Sequence, residues 1–225
     1  MKYVAPGLYT FEGLIAGRVY MIEDPDGLTI IDAGISRSTN AILRQITESG
    51  HKLVDIKRIL LTHAHPDHVG ALAALRKQSG APIMTSEAEK PIAEGEMPIP
   101  MSNGAIHPPP ITLKGIKVDR TFKDGDVIES MGGLRVIATP GHAPGHVSFW
   151  QPERKILFTG DAMMRMFGRL RLPIAMVTVD MAEAKRSIKK LSQLEIQIAC
   201  FGHGEPMTQN TSDTIRAFAQ RVSTP

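Results

Sequence analysis

The stretch Ile59-Leu60-Leu61-Thr62-His63-Ala64-His65-Pro66-Asp67-His68-Val69 decides how this chain is read. An apolar run, Ile59 to Leu61, leads into it, and a helix-like segment, Val69 to Gln78, leads out. Its polar residues therefore sit on the turn where a buried strand hands over to a helix. Imidazole nitrogens with one carboxylate suit Zn²⁺, and also Fe or Mn. Adjacent residues cannot all point at one ion. His63 and His65, two apart, can face one centre while Asp67 and His68 face another, so the spacing predicts two metals.

Outward from this turn, strand-like runs lie at Leu8–Phe11, Val19–Glu23, Leu28–Asp32, Arg58–Thr62, Pro82–Thr85, Leu134–Thr139, His146–Trp150, Lys155–Thr159 and Ile196–Phe201. Helical periodicity covers Ser38–Glu48, with Ile42, Leu43 and Ile46 on one face, and Val69–Gln78. Asp180 and Glu183 have the spacing of a capping box that opens a helix through Leu194, and Thr214–Arg221 reads as a closing helix. Met97–Pro110 and Met163–Pro173 read as irregular loops. The pattern is α/β, with sheets covered by helices. It also echoes itself: Thr29-Ile30-Ile31-Asp32-Ala33-Gly34 precedes a helix, a strand and His63, and Leu157-Phe158-Thr159-Gly160-Asp161-Ala162 precedes a helix, a strand and His203. If the two halves form similar layers face to face, both Asp-bearing and both His-bearing strand ends converge on one edge.

Composition narrows the classes. The 225 residues suffice for a substantial core, and 42% hydrophobic with 22% charged residues is ordinary for a globular protein. No apolar run approaches the roughly 18 residues of a membrane span, and the N-terminus lacks a secretory h-region. The single Cys200 excludes an internal disulfide and a thiolate zinc site, and fits a reducing cytoplasm. A net charge of +3, scattered along the chain, gives no nucleic-acid stripe. The expected partner is a small molecule, with no nucleic acid and no membrane; oligomeric state is left open.

Three more polar clusters follow the first: Thr139-Pro140-Gly141-His142 with His146 close behind, Thr159-Gly160-Asp161, and Phe201-Gly202-His203-Gly204. Each puts an imidazole or carboxylate at a strand end beside glycine, where backbone can approach an ion. Taken in order, HxHxDH, TPGH, TGD and GHG resemble the metallo-β-lactamase-fold hydrolases from Asp32 to His203. The resemblance implies a single domain over residues 1–225, an αβ/βα four-layer sandwich with two mixed sheets face to face and helices outside. It implies one metal held by His63, His65 and His142, a second held by Asp67, His68 and His203, and Asp161 bridging both. Asp32 and His146 would support the ligands from behind.

The departures from particular branches sharpen this. Zinc β-lactamases of the fold lack the bridging Asp, so Asp161 makes β-lactam cleavage at most a side activity. Glyoxalase II enzymes keep it but carry a helical extension after the last His, and here about 20 residues follow His203. The expected activity is hydrolysis of a carboxylic ester, lactone or thioester, on the glyoxalase II and lactonase-like branch. Two divalent ions, Zn²⁺ in the first instance, would lower the pKa of a shared water towards about 7, with Asp67 orienting the resulting hydroxide. Arg165, Arg169 and Arg171 are candidates to hold an anionic substrate tail, with Met164, Phe167 and His107 as further candidate contacts. The alternatives are a mononuclear iron sulfur dioxygenase of the same fold and a non-catalytic binding member.

Overall fold

A computed structural model describes residues 1–102 and 109–223. The chain divides into two compact units, Met1–Pro98 with Thr112–Phe122, and Ile99–Ile111 with Lys123–Pro225.

The first unit carries β1 (Lys2–Ala5), β2 (Leu8–Thr10), β3 (Tyr20–Asp24), β4 (Gly27–Ile31), β5 (Ile56–Leu60), β6 (Ile83–Ser86) and β7 (Arg120–Phe122) in one sheet of that order. The first four form an antiparallel meander, whereas β4 to β7 are parallel. Parallel neighbours need a crossover, usually a helix. The crossovers carry α1 (Thr39–Glu48) between β4 and β5, then α2 (Pro66–Val69) and α3 (Leu72–Ser79) between β5 and β6. A short α4 (Lys90–Ala93) follows β6. Helix α1 buries Ile42 and Ile46, and the amide of its buried Gln45 closes both backbone groups of Glu12 at 3.0 and 2.9 Å.

The helix expected over Val69–Gln78 is instead two pieces, broken at Gly70 and Ala71. The loop after β4 takes their backbone groups: Gly70 N–H donates to Gly34 (2.7 Å), Ala71 N–H to Ala33 (3.1 Å), and Ala33 N–H to His68 (2.7 Å). A Cβ on Gly70 would lie 2.1 Å from Ser36 N, so only glycine admits this close approach.

The second unit carries β8 (Val127–Ile128), β9 (Leu134–Ala138), β10 (Val147–Gln151), β11 (Ile156–Gly160), a hairpin of β12 (Met164–Met166) and β13 (Arg169–Arg171), α5 (Met181–Leu191), β14 (Ile198–Phe201) and α6 (Thr211–Ser223). Its main sheet has the order β14-β11-β10-β9-β8, antiparallel except for the β11–β14 pair. Asp180 caps α5 by accepting from Glu183 N–H at 2.9 Å. Leu157, Met163, Ile188, Leu191, Phe201 and Ile215 are the fully buried heart of its core.

Two expectations change here. Met163–Pro173 is not irregular: Met164 pairs with Arg171 and Met166 with Arg169 around a Phe167-Gly168 tip. Both tip residues have positive φ (52° and 74°), the geometry of a two-residue hairpin turn that sequence usually announces with Asn-Gly. The α5 helix also ends at Leu191 rather than Leu194. The expected 97–110 loop lies partly outside the described residues, as does His107.

Within each unit the strand–Asp–helix–strand–His order is realised locally. Parallel neighbours β4 and β5 lead to Asp32 and His63; parallel neighbours β11 and β14 lead to Asp161 and His203. No helix among the described residues is long and apolar enough to cross a membrane.

Candidate metal centre

In the first unit the site is built around Asp32, held in the left-handed region (φ 59°) where β4 ends. Its Oδ1 accepts Thr62 N–H at 2.8 Å and its Oδ2 accepts the Thr62 hydroxyl at 2.9 Å. That hydroxyl has one proton, spent on Asp32, so Thr62 Oγ1 can only accept from His63 Nδ1, 3.0 Å away. His68 Nδ1 stands 2.9 Å from Asp32 Oδ2 and donates to it. Both rings are thereby held with the proton on Nδ1 and the lone pair on Nε2, the state that binds metal. The His63 ring meets His65 edge-on at 4.5 Å and lies tilted against His68 at 4.1 Å, centroid to centroid. Pro66 opens α2 with its fixed φ, and Asp67 in that first turn puts a carboxylate oxygen 3.9 Å from His68 Nε2. All three histidines are buried, while Asp67 is about a quarter exposed.

The second unit repeats this logic. Thr178 Oγ1 donates to the Ile174 carbonyl at 2.8 Å, so it accepts from His142 Nδ1 at 3.1 Å and leaves the His142 lone pair on Nε2. His142 Nε2 lies 3.5 Å and His203 Nε2 3.2 Å from the same oxygen, Asp161 Oδ2. His146 does something else: its Nε2 accepts the Asp161 N–H at 2.9 Å, and its Nδ1 stands 2.8 Å from Thr139 Oγ1 and 3.1 Å from the Thr139 carbonyl. A ring whose Nε2 is occupied by a backbone amide holds the Asp161 turn and has no lone pair left for an ion there.

The expected substrate contacts have varied surroundings. Arg165 Nη1 donates to the carbonyls of Glu205 (3.2 Å) and Pro206 (3.0 Å). Arg169 and Arg171 are exposed on β13 and line a groove with Phe218 and Arg221 of α6. Met164 is buried, whereas Phe167 is 94% exposed at the hairpin tip.

Sequence reading missed Glu89, a carboxylate only 1% exposed whose Oε2 accepts the Ala64 N–H at 2.8 Å, between two histidines of the first motif. It also missed Thr62 and Thr178. Nothing in the sequence marks these, because a single Glu or Thr reads as a cap or a strand residue until its neighbours in space are known.

The donor set fits a divalent metal: imidazole nitrogens and carboxylate oxygens, with the rings of His63, His68 and His142 each oriented by a polar partner behind it. The Metallo-beta-lactamase superfamily profile matches residues 13–203. The chain is 29% identical to the Probable metallo-hydrolase YflN of Bacillus subtilis, covering 91% of this chain and 87% of that one. It is 34% identical to a hydroxyacylglutathione hydrolase of Cereibacter sphaeroides, over 72% of this chain and 52% of that protein. Among solved structures it is similar to BJP-1, a subclass B3 metallo-beta-lactamase of Bradyrhizobium japonicum (27% identity, TM-score 0.73, 96% of this chain and 88% of that one). With both histidine-bearing motif sets inside the matched span, this chain belongs to the metallo-beta-lactamase superfamily and is one of its metallo-hydrolases.

Proposed function

We propose that the chain is a dinuclear metal-dependent hydrolase of carboxylic esters, lactones or thioesters, its two units working as one domain. In this reading His63, His65 and His142 hold one ion, Asp67, His68 and His203 hold the other, and Asp161 spans both. The observation that carries it lies within the second unit: one oxygen of Asp161 stands 3.5 Å from His142 Nε2 and 3.2 Å from His203 Nε2, the two histidines assigned to different ions. A carboxylate shared in this way is what a bridging ligand requires.

Divalent ions bound there supply a Lewis acid and a water activated near neutral pH. The chain's own residues do the rest. Asp67 accepts a hydrogen bond from the attacking water and aims it. Asp32 keeps His63, through Thr62, and His68, directly, in their ligating tautomer. His146 fixes the backbone of Asp161. An alkoxide or thiolate leaves without a general acid, which favours esters, lactones and thioesters over amides. The name of the hydroxyacylglutathione hydrolases denotes cleavage of a thioester, which supports the same bond class. Exposed Arg169 and Arg171 are assigned to an anionic group of the substrate.

Metal analysis of purified protein alongside an ester, lactone and thioester panel tests the proposal. Two ions per chain and turnover of at least one class are expected. His65→Ala and Asp161→Ala should lose bound metal and drop kcat/KM by at least about a thousandfold, roughly 4 kcal/mol of lost transition-state stabilisation. One iron per chain with oxygen uptake, or full activity in either variant, would overturn it.

A further inference from the structure

Two charged side chains outside the ligand set grip the backbone that carries it, one in each unit. In the first unit, the bend His63-Ala64-His65 belongs to no helix or strand. Its Ala64 N–H donates to Glu89 Oε2 at 2.8 Å, and Glu89 is 1% exposed. Glu89 is itself fixed, its N–H donating to the Ser86 carbonyl (3.2 Å) and its own carbonyl accepting from Ala93 (2.9 Å).

In the second unit, His203 lies between Gly202 and Gly204, residues that give a bend little conformational preference of its own. Arg165 constrains that bend at three points. Its N–H donates to the His203 carbonyl at 2.9 Å, and its Nη1 donates to the carbonyls of Glu205 and Pro206 at 3.2 and 3.0 Å. The backbones are so close that a Cβ on Gly204 would lie 1.7 Å from the Arg165 carbonyl oxygen. Through Nη1 the guanidinium makes a charge-assisted clamp on these two carbonyls.

We propose that Glu89 and Arg165 are positioning residues, each setting the backbone from which metal-ligating histidines project: Glu89 for His63 and His65, Arg165 for His203. The inference rests on the dinuclear reading, and assigns each side chain to a different ion. Residues behind a metal's ligands typically alter affinity by about 10- to 100-fold when changed.

The test uses the full chain, Zn²⁺ titration against a competing chelator to resolve two binding steps, and the thermal midpoint of chelator-stripped protein. Glu89→Asp keeps the charge but is one methylene too short for Ala64; Glu89→Gln keeps the reach and loses the charge. Positioning predicts that Asp weakens one step by about 10- to 100-fold while Gln binds like wild type. Arg165→Met, which keeps the stem and the backbone N–H to His203 but removes the guanidinium donors to Glu205 and Pro206, should weaken the other step by a similar factor, with Arg165→Lys in between. The opposite ranking of Asp and Gln at position 89 would mean that charge, not position, matters, and would overturn the Glu89 assignment. Wild-type affinity in both steps for Glu89→Asp and Arg165→Met, with only the stripped protein's midpoint lowered, would reduce both side chains to ordinary struts. A wild-type chain that takes up fewer than two ions sinks the dinuclear reading instead, and does so before any variant is measured.

Discussion

A histidine can carry its neutral proton on either nitrogen, and at His63, His68 and His142 that freedom is removed by a single neighbour. For His63 and His142 the neighbour is a threonine whose proton is already given elsewhere, to Asp32 or to the Ile174 carbonyl. The sequence announces the histidines, and even Asp32, by their strand-end positions. It cannot announce Thr62 and Thr178 in these roles, because what matters is where a hydroxyl proton goes in space. One carboxylate away from the site shows the same dependence on a partner. Burial acts to raise the pKa of Asp119, but hydrogen bonds from Arg76, two at 2.8 Å, and from Ile83 N–H outweigh it and hold the group below its ordinary 3.8. A depressed folded pKa contributes stability that is complete above the unfolded value and lost as pH falls through the folded one. Arg76→Met should therefore move the acid-unfolding midpoint, followed by circular dichroism, to higher pH, with little change in stability gained from raising pH above about 6.

Elements rich in apolar alternation were legible, and so the nine strand-like runs all correspond to strands. The short edge pieces β1, β7 and β8 were not, since two to four residues leave no period to read. The β12–β13 hairpin escaped for a different reason. Its turn is Phe167-Gly168, and a phenylalanine at φ 52° with 94% of its surface in solvent satisfies neither turn chemistry nor burial. Left-handed backbone costs a residue with a Cβ about 1–2 kcal/mol, which Asn tolerates better. Phe167→Asn should raise the thermal midpoint of the protein by a degree or more. If kcat/KM falls in the same variant, through KM alone, the strained aromatic is retained for substrate; unchanged kinetics would remove Phe167 from the candidate contacts.

At the scale of the whole chain, the internal echo was the most useful sequence signal, because strand–Asp–helix–strand–His names the end of a parallel strand pair twice. The division into units was only partly visible: the Met97–Pro110 stretch that reads as a loop nearly coincides with Ile99–Ile111 of the second unit, but nothing in the composition marks Thr112–Phe122 as belonging to the first. If the ligands of both units share ions, metal occupancy stabilises the entire fold. At a thousand times Kd that linkage is worth about 4 kcal/mol, or a shift of roughly 10 °C for a chain of this size. Scanning calorimetry with and without chelator should show it, and superimposable curves would count against shared ions. Cys200 has a quieter consequence. It is wholly enclosed in β14, and burial pushes its thiol up, so the neutral form persists in ordinary buffers. The native molecule thus presents no thiol at its surface, and a cysteine introduced at an exposed tip would take a maleimide fluorophore at one defined place, with no need to delete the natural one first.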